Sequence, residues 1–470
     1  MNAEPRVQDP PAMSPPPSPR APLVARGLPL LGSALPMLKD PLAFLRAEHA
    51  RLGPVFRVRA PGRSFTVMAG REANDYLSRE GRDVLVAAPF WHRLTVPEYG
   101  SRQAIVAQDG EPHARTRHTL RSGLSKALLE DHLTGAHAVM AHTCAAGDRA
   151  DDGARDVSVS ELTRLLVSRV VHHTVTAGSE EPVPDALATA MTERFRWEAN
   201  ARLLGKWPAL ALRLPAHRRR VRDVDAFADR LVRRARAGVT SPWGLLGLTL
   251  ADAPEAPYSV GDLRLHFLFP FVGGVDTVAA TLGFWLYEVL RDEALTATLR
   301  AEVDALYDGC AEGEHPSTAT LRGCAPLLGS MMEALRLCPA AFGVYREAAR
   351  DFTFAGHTVR RGEDVMVFTT ASHFDPACFP EPERFDVTRV SQQPNPYRQK
   401  QVFMPYGVGA HICLGAALGE AVLLQIMAHL LRHHALQLTR VPATVHTFDP
   451  SLAPSSKLRM RLVAREGAAG

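Results

Sequence analysis

An apolar run from Phe267 to Leu290 limits what this chain can fold into more than any other stretch. It is long enough to span a bilayer. Yet it carries Asp276, Pro270 and the pair Gly273-Gly274, and a single mid-chain span with a central acid is poorly suited to lipid. The better reading is a helix buried through the middle of a large soluble protein, apolar all round because every face meets other protein. Ser259, with Asp262 three residues on, has the spacing of a capping box and sets its start. Continued to about Asp292, the helix is roughly 50 Å long at 1.5 Å per residue, enough to cross the molecule. Pro270 and the glycines predict a deformation in its middle. There Thr277 can bond the carbonyl of Gly273, four residues back, and open the ladder.

A core of that depth needs a long chain, and 470 residues with 46% hydrophobic and 22% charged content supply one. No internal linker interrupts it, so residues 23–470 are read as one domain. Residues 1–22 carry Pro10-Pro11 and Pro15-Pro16-Pro17 among polar residues, a composition that buries nothing and should be disordered. The balance of 54 basic against 50 acidic residues is too even to imply nucleic acid. Cys144, Cys310, Cys324, Cys338, Cys378 and Cys413 show no paired spacing, which fits reduced thiols in the cytoplasm. No secretory or anchoring segment opens the chain, and no membrane span is expected.

Asp40-Pro41 should cap a helix running through Leu52, and Val55 to Val58 with Phe65 to Val67 flank Pro61-Gly62 as a hairpin. Residues 85–108 lack periodicity and read as a long loop. Residues 150–250 are helical in pattern and rich in arginine, with Arg218 to Arg220 and Arg233-Arg234 on solvated faces. Leu327 to Leu337 reads as a helix with Glu333 and Arg336 on one face. Phe352 to Phe354, Gly356 and Val365 to Val367 read as strand, turn and strand, and Arg459 to Val463 as a closing strand.

The chemistry points to the stretch from Phe403 to Gly415. Gly407 and Gly409 permit a tight loop, and the apolar run after Cys413 looks helical. Cys413 is then placed at a helix N-terminus, where unsatisfied amides favour an anion and lower a thiol pKa. A thiolate so placed can serve as an axial haem ligand. A lone cysteine is more often a small buried hydrophobe. A zinc reading of His411 with Cys413 fails for want of a nearby second Cys/His pair. His113 and Arg117, four apart, share a helix face; on charge pattern alone that is a solvated basic face.

The Gly-x-Gly-x-His-x-Cys-x-Gly spacing over 407–415 closely resembles the haem-binding loop of the cytochrome P450 superfamily. Further motifs follow in the family's order, and the resemblance covers about residues 27 to 465. Tyr406 departs from the pattern, standing where the family usually carries Phe; it keeps an aromatic under the sulfur but adds a phenol that needs a partner. The resemblance implies a mainly α fold with small β-sheets (α+β), a single large helix-rich haem domain. It implies haem b on Cys413, cradled by Tyr406, Gly407, His411 and Gly415, with His113, Arg117 and Arg346 gripping the propionates. Asp276 and Thr277 match the family's oxygen-activation segment, and Glu333, Arg336 and Arg384 its structural cluster.

By the same resemblance the activity is a monooxygenase inserting one atom of O2 into a lipophilic small molecule, a terpenoid, steroid or polyketide of secondary metabolism. The expected lining is Phe90, Trp91, Ala340, Ala341 and Phe342, under a roof including Phe195, Trp197 and residues 203–207. Electrons should come from a ferredoxin or flavodoxin with its NAD(P)H reductase, docking near Arg115, Arg398 and Lys400. No flavin or nicotinamide module is seen after the last strand, and Gly407-x-Gly409 is no dinucleotide fingerprint, since residue 412 is Ile. A monomer is expected. The alternatives are a non-catalytic haem-thiolate sensor and a peroxide-driven or isomerase enzyme, and the acid and alcohol at 276 and 277 argue against both.

Overall fold

The computed structural model describes residues 20–122, 124, 126–147, 153–178, 183–239 and 258–465. The proline-rich tail up to residue 19 and the stretch 240–257 of the arginine-rich region lie outside the described residues.

The central helix forms as its caps predict. Ser259 Oγ accepts from the Asp262 N–H at 3.1 Å and Asp262 Oδ2 accepts from the Ser259 N–H at 2.9 Å, satisfying two orphan donors reciprocally. Helical turns run Val260–Phe269, widen to π geometry over Pro270–Val275, and resume over Asp276–Leu290. The helix ends at Leu290 because Asp292 is engaged elsewhere, accepting from the Leu295 N–H at 2.9 Å to cap the next helix, Glu293–Asp308. Beyond the wide turn, Leu282, Trp285, Leu286 and Val289 are fully buried. Among the described residues two helices are long and apolar enough to cross a membrane, Val260–Leu290 and Gly409–His433, and 61% and 67% of their apolar windows are buried inside the protein.

The small sheets sit beside the helices. A mixed six-stranded sheet runs in the order Leu23–Val24, Val55–Ala60, Arg63–Ala69, Asp364–Phe368, Val344–Ala348, Leu85–Val86. Its hairpin and the preceding helix, Pro41–Leu52 with Asp40 accepting from the Ala43 N–H at 2.9 Å, match the sequence reading. The closing strand Arg459–Ala464 lies between His434–Arg440 and Arg155–Ser158.

Two local readings are corrected. Residues 85–108 are no loop: they hold the helix Ala88–Tyr99 and a short 3-10 turn, Ile105–Ala107. Pro89 falls in the first turn, where its missing N–H costs nothing, and Phe90 and Leu94 are buried, Phe90 stacking on Tyr345 at 4.8 Å. Tertiary burial overrides a weak periodicity. Likewise Phe352–Phe354 pairs with His357–Val359 rather than with Val365 to Val367, which belong to the six-stranded sheet.

The Glu/Arg cluster also differs from expectation in one member. On the helix Ala325–Leu337, Glu333 and Arg336 are fully buried and paired through two bonds, at 2.6 and 2.8 Å. The third guanidinium belongs to Arg389, 2% exposed, with its Nε 3.4 Å from Glu333. Arg384 contributes only its carbonyl, which accepts from Arg336 at 3.0 Å; its side chain is 64% exposed and pairs with Glu381. The Asp386 N–H and the Tyr397 hydroxyl donate to the remaining Glu333 lone pairs.

His373 transmits this network to the cysteine loop. Its Nδ1 meets the Arg336 carbonyl at 3.2 Å and its Nε2 accepts from the Met404 N–H at 2.9 Å. Burial holds the ring neutral, its pKa pushed down to about 3, so one nitrogen donates and the other accepts. Removing one partner of a buried charge pair strands the other. Arg389→Ala is therefore expected to cost about 3–5 kcal/mol, while Arg384→Ala stays within about 0.5 kcal/mol. Urea midpoints measure both, and equal losses would return the role to Arg384.

Candidate functional site

The loop before Cys413 is closed by its own backbone. Gly407 and Gly409 take φ of 72° and 77°, the left-handed region that a side chain disfavours. The reversal lets the Cys413 N–H donate to the Tyr406 carbonyl at 2.9 Å and the Ile412 N–H to the Gly409 carbonyl at 3.2 Å. Helix Ala416–His433 follows, with Gly415 as its N-cap. Cys413 thus stands just ahead of a helix N-terminus, and the Gly415 N–H is bonded to its sulfur.

The expected fall in thiol pKa does not occur. Burial pushes it up and outweighs the Gly415 N–H and the Arg117 charge, which act in the opposite direction. Cys413 nonetheless keeps accessible surface. Surface together with desolvation describes a recess walled by protein, where the thiolate needs a bound cation to form.

The second wall is the wide turn of the central helix. Gly273 is exposed and Gly274, Asp276, Thr277 and Val278 are half-buried, in a helix whose later turns are buried. The two walls meet nearby: a Cβ on Gly419 would lie 3.4 Å from Val278. A Cβ on Gly274 or Gly415 would meet no atom within 4 Å, so packing within the chain does not account for glycine there. Thr277 Oγ1 lies 3.1 Å from the Gly273 carbonyl and 3.0 Å from that of Gly274. Its single proton serves one at a time. Asp276 Oδ1 stands 3.3 Å from Arg164 Nε and forms an ion pair with it. Burial still raises the pKa of Asp276, against the pull of Arg164 and Arg196.

A cationic group flanks the loop. Helix Gly110–Ser122 presents His113, which is buried rather than solvated, and Arg117, whose Nη1 donates to the Ile412 carbonyl at 2.8 Å. The His113 ring lies 4.0 Å from that of His411. Burial, the neighbouring His411 and Arg117 push the pKa of His113 down to about 4, and burial lowers that of His411. Both rings are neutral near pH 7. Arg346, on the strand Val344–Ala348, is 4% exposed and donates to the Tyr345 carbonyl at 2.7 Å. Among the described residues it forms no ion pair, and burial pulls its pKa down to about 10.

Asp109, which the sequence did not single out, is the carboxylate of this group. It accepts from the Ala88 N–H at 2.8 Å and meets His411 Nε2 at 3.2 Å. Two guanidiniums against one committed carboxylate leave a surplus of positive charge. That surplus, a thiol in a walled recess and accessible glycines fit a flat dianionic haem, with Cys413 as ligand and Arg117 and Arg346 toward its carboxylates. Tyr406 lies by the sulfur, and its buried hydroxyl has no hydrogen-bond partner among the described residues. Of the expected substrate lining, Ala341 is exposed and Trp91 half-buried, whereas Phe90, Ala340 and Phe342 are packed into the core.

Residues 22–459 match the family model described as Cytochrome P450. Thromboxane-A synthase of Sus scrofa is 30% identical over 203 residues, 42% of this chain and 37% of that protein. Sterol 14alpha-demethylase of Mycolicibacterium vanbaalenii is 27% identical over 214 residues, 44% of this chain and 47% of that one. The chain thus spans less than half the length of these relatives. A retinoic-acid-bound cyanobacterial P450 superposes with a TM-score of 0.78 at 22% identity, over 95% of this chain and 100% of that one, which shows the fold.

Proposed function

The chain belongs to the cytochrome P450 family, and on that premise we propose that it is a haem-thiolate monooxygenase acting on a lipophilic small molecule. The observation carrying the proposal is Cys413, exposed yet desolvated, on a loop flanked by Arg117 and followed by a helix whose Gly419 packs against Val278 beside the loosened turn of the central helix. Haem bound through a thiolate supplies oxygen activation and O–O cleavage.

The chain's own residues position and protonate. Cys413 Sγ is the ligand, and the Gly415 N–H and Arg117 stabilise its negative charge. Arg117 and Arg346 hold the carboxylates, and the neutral imidazoles of His113 and His411 can each donate one further hydrogen bond. Thr277 Oγ1, tied to the Gly273 and Gly274 carbonyls, holds a proton over the gap. Asp276, its pKa raised by burial, replenishes that proton, and Arg164 orients its carboxylate. Trp91 and Ala341, the accessible members of the expected lining, are apolar and suit a substrate of the terpenoid, steroid or polyketide kind, and a relative named for a sterol and a neighbour holding retinoic acid support that class.

Exposed Arg398 and Lys400, with Arg115 loosely paired to Glu111, suit an acidic ferredoxin or flavodoxin. Six unbridged cysteines favour the cytoplasm. The test supplies NADPH, a ferredoxin, its reductase and 18O2 to protein loaded with a lipophile that shifts its spin state. One labelled oxygen atom should enter the product, at a rate that falls as salt rises. Labelled product formed without the ferredoxin would sink the partner reading. Failure to incorporate label from any spin-shifting lipophile would sink the monooxygenase reading in favour of a sensor.

A further inference from the structure

Away from the cysteine loop, five histidines and a cysteine collect in one place. His429 and His433 occupy the last turns of helix Ala416–His433, His434 begins the strand His434–Arg440, and Cys144 closes helix Lys126–Ala145. The His429 ring lies 4.6 Å from His433, 6.1 Å from His434 and 6.3 Å from His137, and His137 stacks on His315 at 3.6 Å. Ligand atoms of Cys144, His429 and His434 all lie within 4.8 Å of one another.

His429 makes this arrangement hard to explain as packing. It is 3% exposed and, among the described residues, neither ring nitrogen has a hydrogen-bond partner; Nδ1 of His137 and of His315 also lack one there. Each such nitrogen has lost its water without replacement, at about 1–3 kcal/mol. Phenylalanine would fill the same volume without that cost. A cation that accepts nitrogen lone pairs accounts for the choice of histidine.

We propose that Cys144, His429 and His434 form a second metal site, taking a zinc-class divalent ion. One sulfur and two imidazoles are borderline-soft donors, which suit zinc and exclude calcium and magnesium, whose ligands are oxygens. Tetrahedral zinc holds its ligands about 3.3–3.8 Å apart, from bonds of about 2.0–2.3 Å, so small side-chain shifts close the site. Burial keeps the His429 ring neutral, its pKa pushed down to about 2, which is the ligating form. Burial pushes the Cys144 thiol up to about 12 against the weaker pull of Arg155, which donates to the Cys144 carbonyl at 2.5 Å, so it is the bound ion that would deprotonate the sulfur. The nearby Arg432 is balanced by Asp304 and Asp308.

The backbone is already rigid there. His434 pairs with Ala464 in the sheet, and Arg465 donates to the carbonyls of Leu431 and Arg432. The ion would clamp helix Lys126–Ala145 to the far end of the helix that follows Cys413. A ligand that binds only the folded chain stabilises it by mass action.

The test uses haem-loaded protein, equilibrated with zinc in the presence of a competing chelator. One zinc per chain is expected beside the iron, with a zinc-edge scattering shell of one sulfur at about 2.3 Å and nitrogens at about 2.0–2.1 Å. Zinc should raise the thermal midpoint of the parent protein. Cys144→Ala should keep the reduced carbon monoxide spectrum but lose the sulfur scatterer and weaken zinc by more than the roughly 10–100-fold that loss of an outer-shell partner costs. No retained zinc, or zinc bound as tightly with its sulfur intact in Cys144→Ala, overturns the proposal. If that variant does not fold, the parent's shell decides, and a shell without sulfur overturns it equally.

Discussion

Cys413→Ser is expected to abolish the thiolate signature in the reduced carbon monoxide spectrum, and with it nearly all oxygenation. A serine hydroxyl is neutral and hard, and cannot supply the soft anionic electron density that thiolate supplies. The substitution should leave the fold alone. Cys413 contributes surface rather than core packing, and its backbone N–H still donates to the Tyr406 carbonyl; a change of this kind is usually within about 0.5 kcal/mol. Arg117 and Arg346 keep their positions, so haem can still lodge between them. The expected pattern is therefore retained haem and an unchanged urea midpoint with a lost spectrum. If the variant kept the parent's reduced carbon monoxide spectrum, Cys413 would not be the ligand and the functional reading would collapse.

Thr277→Ala should preserve haem content and the thiolate spectrum, yet divert most reducing equivalents from product to hydrogen peroxide. The side chain bonds only within its own turn, to the Gly273 and Gly274 carbonyls, so its loss removes a local bond and no long-range contact. What disappears is a positioned proton. Such transfers contribute typically about 10²- to 10⁴-fold, and a loss toward the lower end is expected because water can enter the widened turn. Thr277→Ser, which keeps the hydroxyl, should restore much of the coupling. Asp276→Asn should slow turnover, since the amide cannot carry the proton that the buried acid carries. The readout is product formed per O2 consumed, with saturating redox partners. An unchanged ratio in Thr277→Ala at undiminished rate would make the turn purely structural and send the protons by another route.

What the sequence by itself determined lies within a few residues of chain. The Ser259/Asp262 capping box, the Asp40 cap, the Pro61-Gly62 hairpin, the Thr277 bond to Gly273 and the left-handed glycines ahead of Cys413 are all set by local sterics and local hydrogen bonds. The ordered motifs of a resembling family added the distant members of the site, and His113, Arg117, Arg346 and His411 do come together around Cys413.

Only the tertiary structure decided the rest, because it turns on which side chain loses its water. Arg384 and Arg389 are the same residue type five positions apart, and the path of the backbone sends one guanidinium into the interior beside Glu333 and the other to solvent. Asp109 meets His411 across 302 residues, and no local pattern marks it. The helix Ala88–Tyr99 forms in a proline-containing stretch because Phe90 and Leu94 find a partner surface. The rise in the Cys413 pKa reverses a correct local argument: the helix N-terminus does favour the thiolate, but desolvation by surrounding chain is larger. The cluster around His429 is of the same kind. Histidines scattered from 137 to 434 acquire meaning only when folding gathers them in one place and buries His137 and His429 among them.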